Sequence, residues 1–170
     1  MSSHAVASPA TSTYLPTLEV PHERDGVGQD MQATLHELID LSLIGKQLHW
    51  AIVGPLFRPL HLQLDELVES WHELSDTVAE RAVALGFIPD GQASAVAAGS
   101  PLAPVAGGTI EDHLVVRELT HRVAEVSERV RERMNRLGDA DLASQDVLIE
   151  VVRELEKQQW MLRVQLGEHA

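Results

Sequence analysis

Apolar residues return every three or four positions in four long runs, and the breaks between the runs divide the chain. From Asp30, the series Leu35, Leu38, Ile39, Ile44 and Leu48 has helical spacing. It ends before Gly54-Pro55, where the proline disfavours helix at the residue ahead of it. A second series, Leu60, Leu64, Leu67, Val68, Trp71, Leu74, Val78 and Leu85, begins just after Pro59 and stops at Gly86, a natural position for a terminating glycine. The third, Val116, Leu119, Val123, Val126, Val130 and Leu137, follows Thr109, which reads as an N-cap with Glu111 and Asp112 in the dipole-favoured first turn. Gly138 ends that run, and Asp139 or Asp141 can cap the fourth, whose apolar face is Leu148, Val151, Leu155, Gln159, Leu162 and Leu166. Arg153, Glu154, Glu156 and Lys157 supply much of its solvated side.

Four helices of about 25 residues are each roughly 35–40 Å long, which suits a four-helix bundle better than a packing of short helices. The first and second runs, and the third and fourth, are joined by short loops and therefore form antiparallel hairpins. About 24 residues rich in Gly, Pro and Ala separate the second run from the third, long enough to travel the length of a bundle, with a short helical piece over Gln92 to Ala98. The expected architecture is all-α: a bundle over residues 28–167 with one long crossover. Residues 1–27, rich in Ser, Ala, Thr, Pro and Gly, read as an extended or flexible tail.

Composition narrows the chemistry. At 170 residues one domain can bury a full core, and the absence of cysteine removes disulfides and thiolate metal sites. No secretory signal pattern and no run of about 18 apolar residues is present, so a cytoplasmic protein without a membrane span is expected. The net charge of −13, from 26 acidic and 13 basic residues, repels nucleic acid and favours cations wherever carboxylates converge.

Convergence is expected on the second helix. At about 100° per residue, His61, Asp65, Asp76 and Glu80 fall within an arc of about 100° on one face. Asp65 and Asp76 are nevertheless about 16 Å apart along the axis, far beyond what one metal bonded at about 2 Å can bridge. A second copy packed antiparallel about a two-fold axis would bring His61 and Asp65 of one subunit to Asp76 and Glu80 of the other, giving two equivalent sites. His49, near the end of the first helix and close in the chain to His61, completes the set. Imidazole and carboxylate without sulfur suit iron, manganese or zinc, and a redox role requires iron or manganese. Single pairs at this spacing usually mark a solvated helix face; five together are harder to dismiss.

Lys46-x-x-His49-Trp50, His61-x-x-x-Asp65 and Asp76-x-x-x-Glu80 together resemble the Dps family, the starved-cell DNA-protecting mini-ferritins. The resemblance spans about residues 30–167 and includes the Asp141-x-x-Ser144-Gln145-Asp146 opening of the last helix and Glu156-Lys157-x-x-Trp160. It implies a ferritin-like bundle assembled as a hollow homo-dodecamer. Centres at two-fold interfaces would oxidise Fe(II), usually with hydrogen peroxide in preference to dioxygen, and ferric iron would be stored inside, protecting against oxidative stress. By position, His49, His61 and Asp65 would come from one subunit and Asp76 and Glu80 from its partner.

Other residues carry two readings. Lys46 either tunes the centre or makes a surface pair. Trp50 and Trp160 resemble family aromatics near the centre, but large aromatics on bundle helices are usually core, which is the expectation here. Glu66, Glu69 and Glu73 either nucleate mineral or form a solvated face. Asp141 and Asp146 either line an iron-entry pore or, for Asp141, cap a helix. His36, His72, His113 and His121 lack matching partners and read as ordinary. In residues 1–30, Arg24 is the only Lys or Arg against Glu19, Glu23, Asp25 and Asp30, which argues against a DNA-binding tail. The competing function is a non-enzymatic shell that binds and protects DNA.

Overall fold

The four runs of helical spacing fold as four long helices in a computed structural model that describes residues 21–138 and 140–167, with side chains from Gly26 onward. They are α1 (Pro21–Ala51), α2 (Phe57–Ala84), α4 (Asp112–Leu137) and α5 (Leu142–Gln165). The short helix α3 (Ala93–Gly99) lies in the crossover, close to where the sequence puts it. Helix α1 packs mainly on α2 and α4 mainly on α5, with α1 also against α4 and α2 against α5. The all-α expectation holds. Leu38, Leu48, Leu64, Trp71, Val78, Leu119, Val126, Leu148, Leu155 and Leu162 fill the single core between the helices.

Two very short strands add a feature that periodicity does not reveal. β1 (Ile52–Val53) follows α1 directly and pairs in parallel with β2 (Ile110–Glu111), with Ile52 opposite Ile110 and Val53 opposite Glu111. The crossover starts at the far end of α2, about 42 Å from its beginning, and finishes paired to β1 beside that beginning. It therefore traverses the bundle.

Several boundaries differ from expectation. Helix α1 begins at Pro21, inside the segment read as tail. Proline is favoured in a first helical turn, and Gly28 permits close packing within this helix: a Cβ there would meet the Phe87 ring at 2.5 Å. The remainder of the tail, residues 1–20, and the candidate cap Asp139 lie outside the described residues. Helix α2 starts at Phe57, so Pro59 sits within its first turn, where a missing N–H costs nothing. Glu111, not Thr109, holds the N-cap position of α4, because Thr109 stands ahead of the β2 pairing that fixes the helix start. On α5 the polar residue facing the core is Gln158, not Gln159. It is 1% exposed, and its Oε1 accepts the Trp71 indole N–H at 2.8 Å. Gly86 follows the C-cap of α2 with φ of 90°, the left-handed conformation expected for it.

Close approach of α1 to α2 depends on Gly45. A Cβ at this position would stand 2.7 Å from both Trp71 Cζ3 and Val68 Cγ2. Gly45 lies one turn before His49, so this packing sets the spacing of the two helices where the candidate ligands occur.

Candidate metal centre

His49 occupies the last turn of α1, and its backbone carbonyl is among the four that a helix end leaves without an intrahelical donor. His61 Nδ1 lies 3.1 Å from that carbonyl, and His49 Nδ1 lies 3.0 Å from the carbonyl of His61. A carbonyl can only accept, so these contacts place the proton of each neutral ring on Nδ1 and leave Nε2 with its lone pair. The rings stack at 3.5 Å between centroids, and Phe57 packs on His61 with centroids 5.0 Å apart. Asp65, one turn beyond His61 on α2, brings Oδ1 to 3.3 Å from His49 Nδ1.

His49, His61 and Asp65 offer ligand atoms lying within 4.8 Å of one another. Two imidazoles and a carboxylate suit a divalent first-row metal such as iron and leave coordination positions open. His49 is buried, His61 half-buried and Asp65 exposed, so the group faces outward from the bundle. Asp76 and Glu80 do not join it; both are exposed further along α2.

Lys46 forms an exposed ion pair with one of the three residues of the cluster. Its Nζ donates to Asp65 Oδ1 at 2.7 Å. This hydrogen bond holds the Asp65 carboxyl below its ordinary range; desolvation opposes it, and nearby His49 and His61 reinforce it. Asp65 is therefore held as a carboxylate with Lys46 on one of its oxygens, Oδ1. Lys46 also lies 5.9 Å from the Trp50 ring centroid.

The expectation that Trp50 and Trp160 are core is wrong for this chain: they are 69% and 60% exposed, and the core tryptophan is Trp71, which is fully buried. Periodicity does not separate a bundle core from another apolar face. Glu73 and Asp146 line one groove of about 680 Å³ between α2 and α5, together with Glu150 and Glu154. Glu66 lines a neighbouring groove with Lys157 and Gln158, while Glu69 is exposed outside both. Asp141 occupies the N-cap position of α5 and receives Arg81 Nη2 at 2.6 Å and Ser144 Oγ at 2.5 Å. Of the remaining histidines, His36 is buried with Nε2 at 2.8 Å from the Asp90 carbonyl. His72, His113 and His121 are exposed.

The sequence matches the ferritin-like domain family over residues 29–169. DNA protection during starvation protein 2 of Deinococcus radiodurans is 35% identical over 135 residues, which is 79% of this chain and 56% of that protein. The chain thus spans little more than half of that relative's length. The solved structure of Mycobacterium smegmatis Dps in its tetragonal form superposes with a TM-score of 0.86 at 34% identity, covering 95% of this chain and 96% of that one. This chain belongs to the Dps family of ferritin-like proteins. A second Dps, that of Microbacterium arborescens in its high iron form, superposes with a TM-score of 0.83 at 30% identity, over 89% of this chain and 99% of that one. Dps membership agrees with the helix order, the crossover and the Lys46-x-x-His49-Trp50 and His61-x-x-x-Asp65 segments that build the cluster.

Sequence reasoning misses two contributors near the centre. Gly54 reads only as a helix breaker and Asp112 only as a first-turn acid, yet Asp112 Oδ2 accepts the Leu56 N–H at 2.7 Å, across 56 residues of chain. No local pattern reports such a contact. Among the described residues no helix is long and apolar enough to cross a membrane.

Proposed function

We propose that this Dps-family protein is a ferroxidase and iron store, with each oxidation centre shared by two subunits. The observation that carries the reading is the His49, His61 and Asp65 cluster, formed by the residues that the Dps motif supplies. It lacks enough carboxylate to neutralise ferric iron, and Asp76 and Glu80 on the same stripe of α2 are too distant to help within one chain. Antiparallel two-fold packing brings them from a partner. Exposed Trp50, Leu56, Phe57 and Leu62 around the cluster support burial of this face by another subunit. The full assembly in this reading is a hollow dodecamer.

Fe(II) enters as substrate and the carboxylates stabilise its rising charge. Two ferrous ions each lose one electron, the O–O bond of one hydrogen peroxide breaks, and with two protons taken from solvent both oxygens leave as water. Pairing the electrons avoids release of hydroxyl radical, the damaging product of one-electron reduction. Ferric product then accumulates within the shell, with the grooved carboxylates Glu73 and Asp146 available to bind it.

The test is anaerobic Fe(II) followed by hydrogen peroxide, read by growth of ferric absorbance. Rapid growth in the wild type, and its loss in Asp65→Ala and Glu80→Ala, are expected; no growth, or wild-type rates in both variants, overturns the proposal. Size exclusion with light scattering checks the assembly, with about 12 subunits expected. The relatives' naming for DNA protection motivates a second reading, a DNA-binding shell without ferroxidase activity. The net charge of −13 disfavours phosphate contact, and a low-salt gel shift without iron oxidation would establish that reading instead.

A further inference from the structure

The turn between α1 and α2 carries His49 before it and His61 after it, so whatever fixes its backbone also fixes their separation. Two contacts from the far end of the crossover act there. One is the pairing of β1 with β2. The other is Asp112, the first residue of α4, only 7% exposed and packed against Gly54. Gly54 has φ of 127°, and a Cβ added to it would stand 2.6 Å from Asp112 Oδ2. The carboxylate therefore occupies space that any other residue at position 54 would claim.

Each oxygen of Asp112 has a separate task. Oδ1 accepts the His113 N–H at 2.7 Å, within the first turn of α4. Oδ2 accepts the Leu56 N–H at 2.7 Å, on the residue that precedes α2. The exposed His113 ring stands with Nδ1 3.9 Å from Oδ1, a partner that carries charge only when protonated. Burial of the charge is thus offset by backbone donors and by the positive ends of two helices. The first of these bonds stays within the start of α4; the second ties the crossover to the ligand-bearing turn.

We propose that Asp112 is a positioning residue for the metal centre, holding His49 and His61 in ligating register through the turn from Gly54 to Leu56. The inference rests on the proposed metal-binding role of those histidines. The rings are set by reciprocal contacts to each other's backbone at 3.0 and 3.1 Å. A shift of about 1 Å between the ends of α1 and α2 takes both beyond ordinary hydrogen-bond length and frees the ring orientation.

The assembled full-length protein is titrated anaerobically with Co(II), whose visible absorption reports nitrogen and oxygen ligation, and thermal midpoints are measured on the same samples. Wild type is compared with His61→Ala, Asp112→Ala, Asp112→Asn and Leu148→Ala, the last a core truncation on α5. Asp112→Ala should weaken Co(II) binding about tenfold, as loss of an orienting partner does. Asp112→Asn keeps an acceptor oxygen for Leu56 and should remain within about threefold of wild type. Leu148→Ala should lower the thermal midpoint without moving Co(II) affinity. Wild-type affinity in Asp112→Ala overturns the proposal, as does an equal loss in Asp112→Asn or in Leu148→Ala. Should Asp112→Ala fail to assemble, Asp112→Ser, whose shorter side chain does not span both backbone donors, must show the same weakening or the proposal falls. Equal Co(II) binding by wild type and His61→Ala would instead refute the metal centre itself, and the two failures are thereby distinguished.

Discussion

If the ligands are divided between subunits as proposed, two inactive variants restore one another. One variant carries His61→Ala with Asp65→Ala, the other Asp76→Ala with Glu80→Ala. Asp65 and Asp76 are separated by about 16 Å of helix axis, so the two halves of a centre do not meet within one chain. A two-fold pair of like variants has both centres damaged in one half. In a mixed pair, one centre receives both damaged halves and the other receives both intact halves. Random assembly from equal amounts makes about half of all two-fold pairs mixed, so roughly one quarter of all centres is complete. The variants are co-expressed with different affinity tags, assemblies carrying both are isolated, and ferric absorbance is followed after Fe(II) and hydrogen peroxide. Each variant alone should give background rates, and the mixture about one quarter of the wild-type initial rate. Background rates in assemblies containing both subunits would refute the shared centre. Near wild-type rates in either variant alone would refute the ligand set.

Other consequences follow from contacts around the core and the centre. Lys46→Met removes the ammonium paired with Asp65 Oδ1, and, if that ammonium competes with the metal, Co(II) affinity should tighten roughly two- to fivefold, an exposed pair being worth little; weaker binding would mean that Lys46 orients the carboxylate instead. Gln158→Leu leaves the buried Trp71 N–H without its acceptor and should cost about 1–3 kcal/mol in denaturant unfolding, with a shift in tryptophan emission. At Asp141, burial pushes the carboxyl up, but the bonds from Ser144 and Arg81 outweigh it and hold the group below its ordinary value of 3.8. Its ionisation therefore stabilises the fold above that value, and the contribution is lost as pH falls through the lower, folded-state value. The thermal midpoint of Asp141→Asn should lie below wild type at neutral pH and converge on it in acid; a constant gap down to strongly acid pH would contradict this assignment.

Helix order and the crossover are legible in the sequence because both depend on local quantities: apolar spacing, loop length and the placing of glycine and proline. The stripe of His61, Asp65, Asp76 and Glu80 is legible for the same reason, since helical rotation fixes which residues share a face. The tie between Asp112 and the turn at Gly54 is not, because it joins the start of α4 to the start of α2 and leaves no periodic trace. Trp50 and Trp160 expose a different limit. Apolar spacing reports that a side chain favours burial but not which chain buries it, and the stripe that serves a bundle core looks the same as one that serves a subunit contact. The two are 69% and 60% exposed, and Phe57 and Leu62 beside the cluster are uncovered as well. Trp50 adjoins the Lys46 and Asp65 pair, so a partner that covers it also closes over the open side of the His49, His61 and Asp65 cluster. Under the proposed two-fold pairing, the exposed face around Trp50 would form a hydrophobic contact and complete a set of metal ligands at the same time.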